Sequence, residues 1–365
     1  MSRDVIFKRV DPVHVLAVRQ RLSGQEEICE AIAALRPAVA DVISGPPMCL
    51  VLGFPRDGKI DVELVFPTRE LIGREGFVSK TLPALPMFSI THSGPLEGGP
   101  DGTNLRDTRE KLVQFVRDRA LLAGDDPERF IYHQGFEAHG DRAEVYVTEV
   151  QYPYHLPIWL AALEQGTARV AGREAAQRVM AGSQGLADAF DGARAAEWVR
   201  GAMERLDKEV GDERDRACIM NACAHHYIVQ SGILIKEAFD DAGRDLRKLV
   251  ERSNAEPFLG SKYWIDETGS EPLLYIERKP ERQAAYDQAS DPAEKRYQAC
   301  FCPLVRDAIR KGDKISRTFC HCSGGWYVQE WEIVFGERPE VRLVQTMLDG
   351  ADACLFSVVI PAGKL

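Results

Sequence analysis

The chain of 365 residues is longer than one typical domain, so two domains are the first expectation. Hydrophobic residues at 45% against charged residues at 28% are the balance of a globular chain with a real core. The formal net charge is -10 and short basic clusters such as GRDLRKLVER are flanked by acids, which excludes the clustered Lys and Arg that drive phosphate binding, so no nucleic-acid partner is expected.

The opening MSRDVIFKRVDPVH lacks the apolar core and small-residue cleavage site of a signal peptide, and no apolar run approaches membrane-spanning length. A cytoplasmic protein without a membrane partner is expected. HVLAVRQRL then alternates as a strand does, and GQEEICEAIAALRPAVADVI shows helical spacing through Ile28, Ile32 and Leu35 until SGPP breaks it. MCLVLGFP and KIDVELVFP follow as two strands around the turn RDGK, so the first unit reads β-α-β-β. The same order returns after Phe77. An extended stretch, FVSKTLPALPMFSITHSG, leads to a helix in TNLRDTREKLVQFVRDRALLAG, capped by Thr103 or Asn104 and closed by Gly124. RFIYHQGFEAHGDRAEVYVTEVQYP supplies a second hairpin around HGD.

From about Leu156 the texture changes to Ala, Arg and Glu with long helical periodicity, in LPIWLAALEQG, AEWVRGAMERLDKEV and CAHHYIVQSGILIKEAFDDAG. The boundary is placed there, giving domains 1–156 and 157–365. Further on, PLLYIER reads as a strand and GGWYVQEWEIVFGE as a helix ended near Gly336. EVRLVQTML and ACLFSVVIP close the chain as a strand pair around DGAD.

Each β-α-β-β unit ends on Glu-x-x-aromatic-Pro: Glu63 with Pro67, Glu149 with Pro153. Strand side chains alternate between two faces, so Val62, Leu64 and Phe66 share one face and Glu63 takes the other. Likewise Tyr146, Thr148, Val150 and Tyr152 share a face that Glu149 avoids. Both glutamates should leave the helix-packed face, either for the wet side of an antiparallel sheet or for whatever that side encloses. Tyr146, Tyr152, Tyr154 and Trp159 crowd the end of the Glu149 strand; parity puts Tyr146 and Tyr152 on the other face unless the proline or a bulge re-aims them, so Tyr154 and Trp159 are the expected partners. A carboxylate against aromatic rings suits a hydrophobic cation, or an acid/base role if burial raises its pKa.

The doubled unit, TLPALPMFSITHSGPLEG leading into a helix, and the terminal TEVQYPY resemble the GyrI-like effector-binding domain, also found attached to AraC-type and MerR-type bacterial transcription regulators. The resemblance covers roughly residues 4–155. It implies a groove between the two units that binds varied apolar or cationic compounds, with Glu149 as the pocket glutamate; the residue pattern adds Glu63, Tyr146, Tyr152 and Trp159 as further ligand-binding candidates. Some GyrI-like proteins hydrolyse cyclopropane-containing toxins through a pocket carboxylate, so the resemblance also implies Glu149 as the catalytic residue if the chain is an enzyme. No helix-turn-helix candidate precedes residue 4.

Nine cysteines, an odd number in a chain too large to need stapling, favour reduced thiols or a metal site over a disulfide framework. Cys300 and Cys302 lie in ACFCP, Cys320 and Cys322 in FCHCSGGW, and each Cys-x-Cys on an extended chain could aim two thiolates at one point. With His225, His226 and His321 nearby, zinc is the metal such a set would hold. A Cys nucleophile with a His partner and plain packing of small hydrophobes are the other two readings. The string CFCPLV to SVVIP resembles the L-2-amino-thiazoline-4-carboxylic acid hydrolase-like family, and its ending resembles vinyl-reductase-type sensor domains, over roughly residues 200–361. The expected fold class is therefore α+β: a duplicated β-α-β-β domain with a ligand groove, then a mixed α+β cysteine-rich domain. The expected function is a sensor or scavenger of an apolar or cationic small molecule, with hydrolysis of a small ring compound as the alternative and a homodimer allowed.

Overall fold

The computed structural model describes residues 5–53, 59–97, 104–123, 127–135, 145–224, 228–255 and 261–365. The protein is α+β, with a curled eight-stranded antiparallel sheet and a second, four-stranded sheet among helices. The chain divides into two compact units, one of residues 1–118 and 123–155, the other of residues 119–122 and 156–365. Among the described residues no helix is long and apolar enough to cross a membrane.

In the first unit the elements are β1 (Ile6–Val10), β2 (Val13–Leu22), α1 (Gln25–Leu35), β3 (Met48–Gly53), β4 (Ile60–Thr68), β5 (Val78–Leu82), β6 (Leu85–Gly94), α2 (Leu105–Asp118), β7 (Glu128–Gln134) and β8 (Tyr146–Pro153). α1 buries Ile28, Cys29, Ile32 and Ala33, a stripe at helical spacing. α2 is opened by Asn104, whose side chain accepts from the Asp107 amide at 2.9 Å while Asp107 accepts from the Asn104 amide at 3.2 Å. It stops at Asp118, short of the expected Gly124, which lies outside the described residues, as do Thr103 and the turn residues 56–58 and 139–141.

Strand order is β1-β6-β8-β7-β3-β4-β2-β5. The sheet therefore has two four-stranded halves meeting at β3 and β7, and each half is completed by a strand from outside its own repeat. β1, which the reading of the sequence missed, pairs with β6 of the second half. β5, the first part of the single extended stretch expected after Phe77, pairs with β2 of the first. The halves match in detail. Lys80 opposes Val15, which opposes Pro67, and Lys8 opposes Met87, which opposes Pro153. β3 and β7 carry a register shift at the same place, around Leu52 and around His133. Both helices cover one face of the sheet: Tyr132 donates to Gln25 of α1 at 2.6 Å, and Phe88 and His92 meet Phe115 and Thr108 of α2.

The second unit runs α3 (Leu156–Ala171), α4 (Arg173–Val179), α5 (Gly192–Glu209), α6 (Glu213–Asn221), α7 (Ile228–Asp241), α8 (Leu246–Ala255), β9 (Ser261–Asp266), β10 (Leu273–Arg278), α9 (Gln283–Gln288), α10 (Pro292–Ala299), α11 (Arg306–Lys311), α12 (His321–Phe335), β11 (Val341–Gln345) and β12 (Leu355–Val359). The antiparallel order is β11-β12-β10-β9. Its core sets Tyr327, Trp331, Val334 and Phe335 of α12 against Leu274, Ile276, Phe356 and Val358 of the sheet. Gly325 lets α12 approach α6: a Cβ there would sit 2.1 Å from the Asn221 carbonyl oxygen. α12 ends as Gly336 turns left-handed at φ 77, where the sequence places its stop.

Candidate ligand site on the helix-free face

Alternation decides which side chains meet on the face away from α1 and α2. From β1 to β5 in spatial order these are Lys8; Met87, Ser89 and Thr91; Glu149 and Gln151; Arg129 and Ile131; Met48 and Leu50; Glu63 and Val65; Val15 and Ala17; and Lys80 and Leu82. Val15, Ala17, Met48, Leu50, Val65 and Leu82 form a buried apolar cluster, with Val13, Leu52 and Ile131 packed on it. The two glutamates stand at either side of the central strands. Three strand spacings separate their strands, about 14 Å along the sheet.

Each glutamate meets a lysine from an edge strand. Lys80 Nζ lies 2.5 Å from Glu63 Oε2, and Lys8 is ion-paired with Glu149. The glutamate side chains are only 13% and 12% exposed, so neither carboxylate is a freely solvated surface charge. Glu149 has further partners: Ser89 donates to it, Gln151 Nε2 donates at 3.2 Å, and His133 Nε2 lies 3.8 Å away. Burial pushes its carboxyl pKa up, but the hydrogen bonds from Lys8, Ser89 and Gln151 together with the Lys8 charge outweigh burial and hold it below its ordinary value. At neutral pH Glu149 is an anion. It is poorly suited to deliver a proton, and well suited to hold a cation.

The aromatic residues are elsewhere. Tyr146, Tyr152 and Tyr154 belong to the helix-packed side, where Tyr154 packs on Phe88 at 4.8 Å and on Phe7 at 5.9 Å. Tyr154 is thus not the neighbour of Glu149 that its place in the sequence implies. Pro153 leaves the alternation intact, with Met87 still opposite it, so the strand end is not re-aimed. Trp159 belongs to the second unit and lies 5.9 Å from Phe319. Lys8 and Lys80, the two residues that the reading missed, sit in IFKRV and VSKTL, short alternating runs whose pairing is set by distant strands.

In the second unit Cys300, Cys302, Cys320, Cys322 and Cys354 lie within electrostatic range of one another. Burial pushes the Cys300 thiol up to about 12 and those of Cys302 and Cys320 well above their ordinary value. Among the described residues no group of three or more His, Cys, Asp or Glu side chains is arranged to hold a metal ion. Cys320 ends a short helical turn and Cys322 lies in the first turn of α12, so this pair is not the extended Cys-x-Cys that the sequence suggests. His321 reaches Glu213 at 3.6 Å instead, and His225 and His226 lie outside the described residues. Thiols held neutral in this way, as those of Cys300, Cys302 and Cys320 are, are also poor nucleophiles.

No family model matches the chain, and no curated protein matches it. Several solved structures are similar to part of it. The C-terminal domain of EcmrR is 21% identical over 42% of this chain and 98% of that one, with a TM-score of 0.35. A putative bacterial transcription regulation protein from Staphylococcus aureus is 13% identical over 42% of this chain and 99% of that one, with a TM-score of 0.28. SAV2435, in a structure bound to tetraphenylphosphonium, is 13% identical over 41% of this chain and 93% of that one, with a TM-score of 0.28.

Proposed function

We propose that the first unit is a GyrI-like effector-binding domain and that the protein is a sensor or scavenger of apolar cations. The ligand lies on the face away from α1 and α2, with Glu149 as its electrostatic anchor. The observation that carries this reading is an ionised carboxylate, 12% exposed and fixed by Ser89 and Gln151, beside a buried apolar cluster. Its counter-ion is a lysine whose side chain is 34% exposed. A ligand cation exchanges for the Lys8 ammonium, which swings to water at little cost.

Tetraphenylphosphonium is the natural probe, being a large apolar monocation. Calorimetric titration of the full chain should give saturable binding that Glu149→Gln weakens and that a neutral apolar analogue does not need Glu149 for. Equal loss for the cationic and the neutral compound would mean a collapsed pocket, not a lost charge. Consumption of a strained-ring compound by the protein would favour the hydrolase reading instead.

A further inference from the structure

In the second unit, the buried stripe Leu274, Ile276 of β10 continues into Arg278, on the same face of the sheet. An arginine thus stands where the core runs out under α12. Its side chain is 16% exposed. The guanidinium carbon lies 4.4 Å from the Phe301 ring centre and 4.7 Å from that of Trp326. Stacking of this kind covers guanidinium faces and leaves the N–H edges for acceptors. Among the described residues the acid within ion-pair range is Glu281, at 3.9 Å, too far for a hydrogen bond.

Three of the side chains around Arg278 are donors too. Ser261, its register partner on β9, is 1% exposed, and Tyr327 of α12 is 3% exposed. The Tyr327 hydroxyl stands close enough to Ser261 and Arg278 to interact with each, but without the geometry of a full hydrogen bond. Ser261 Oγ and Trp326 Nε1 are likewise buried without a partner. Buried polar groups are nearly always paired, and leaving one without a partner is costly, so three of them beside one guanidinium are not the ordinary outcome of packing. All four groups can donate, and the indole and the guanidinium can do nothing else. What satisfies them together is an acceptor-rich anion.

Charge and walls narrow the class. Arg278 and Arg282 are balanced nearby by Glu281 and Glu330, so the site tolerates one added negative charge better than two. Phe301, Trp326, Cys300 and Cys354 supply apolar surface around the arginine. We propose that Arg278, Ser261, Trp326 and Tyr327 form a binding site for the carboxylate of a small organic monoanion with an apolar body.

The test uses the full chain and three carboxylates, acetate, benzoate and phenylacetate, with benzamide as the neutral analogue and inorganic phosphate as the dianion. Binding is read from tryptophan fluorescence and from the melting temperature. Saturable binding of benzoate or phenylacetate is expected, with acetate and phosphate weaker and benzamide silent. Arg278→Lys keeps the charge but loses the planar fork, and should weaken binding about tenfold or more. Tyr327→Phe and Ser261→Ala remove unpaired hydroxyls, so both should fold as well as the parent while losing several-fold affinity. These two variants carry the comparison if Arg278→Lys does not fold. Failure of all three carboxylates to saturate the parent protein, benzamide or phosphate binding as tightly as benzoate, or full affinity in both hydroxyl variants would each overturn the assignment.

Discussion

The two halves of the eight-stranded sheet share a frame and differ in its filling. Glu63 and Glu149 occupy equivalent places, each four residues before a proline and each paired with an edge-strand lysine. Around Glu63 the equivalent positions are apolar: Ala17, Val65 and Leu52, all in the buried cluster or packed on it. Around Glu149 they are Ser89, Gln151 and His133, and all three reach its carboxylate. Duplication supplied two carboxylates, and the neighbours decide which is an organised anion. A charge fixed by several donors loses little freedom when a ligand arrives, which is the physical meaning of preorganisation.

The largest expected effect is on ligand binding. Glu149→Gln should weaken tetraphenylphosphonium by about tenfold to a hundredfold, the range of a charged interaction of roughly 1.5–3 kcal/mol. Glu63→Gln should cost about threefold or less, since fewer groups fix that carboxylate. Titration calorimetry on both variants checks this, and equal losses would end the distinction between the halves. Next in size is a graft. Placing Ala17→Ser and Val65→Gln in the first half imitates the donors around Glu149, but both parent residues are fully buried among apolar neighbours. The double variant should lose about 1–3 kcal/mol in a urea melt. No loss would mean that the apolar packing there is loose.

Alternation alone gave the faces of Glu63 and Glu149, because a two-residue period is local information. It also put Tyr146 and Tyr152 on the opposite face, and following it through Pro153 would have put Tyr154 there as well. The lysines were not legible. β1 reaches β6 across some eighty residues, and nothing in IFKRV names its partner, so Lys8 enters the site through a non-local pairing. The conformation of the cysteine segment was not legible either: Cys-x-Cys aims two thiols together only on an extended chain, and the FCHC segment is helical, with Cys320 ending a short helical turn and Cys322 inside α12. The donors around Arg278 were invisible, being drawn from β9, β10 and α12.

Acid should erase part of the difference between the halves. The Glu149 carboxyl lies below its ordinary range in the fold and returns to that range on unfolding, so as pH falls the unfolded chain takes up the proton first. Its stabilisation is whole above the ordinary carboxylate range and is lost as pH falls through the lowered folded value. The melting temperature of Glu149→Gln should therefore trail that of the parent at about pH 7 and approach it toward about pH 3. A gap that stays constant across that interval would show that the substitution acts through packing.

The smallest effect separates the lysines. Both are about one-third exposed, 34% for Lys8 and 37% for Lys80, so each ion pair should contribute no more than about 1 kcal/mol to folding. Their consequences for a ligand differ. Lys8 competes with an incoming cation for Glu149, and when it is removed Ser89 and Gln151 still hold the carboxylate in place. Lys8→Met should thus tighten tetraphenylphosphonium by about two- to fivefold, the equivalent of roughly 0.4–1 kcal/mol. Lys80→Met frees a carboxylate that has no such donors from Ala17 or Val65, and should leave the affinity within about twofold of the parent. Weaker binding in Lys8→Met would mean that the ammonium positions Glu149 instead of competing for it, and the exchange of lysine for ligand would have to be abandoned.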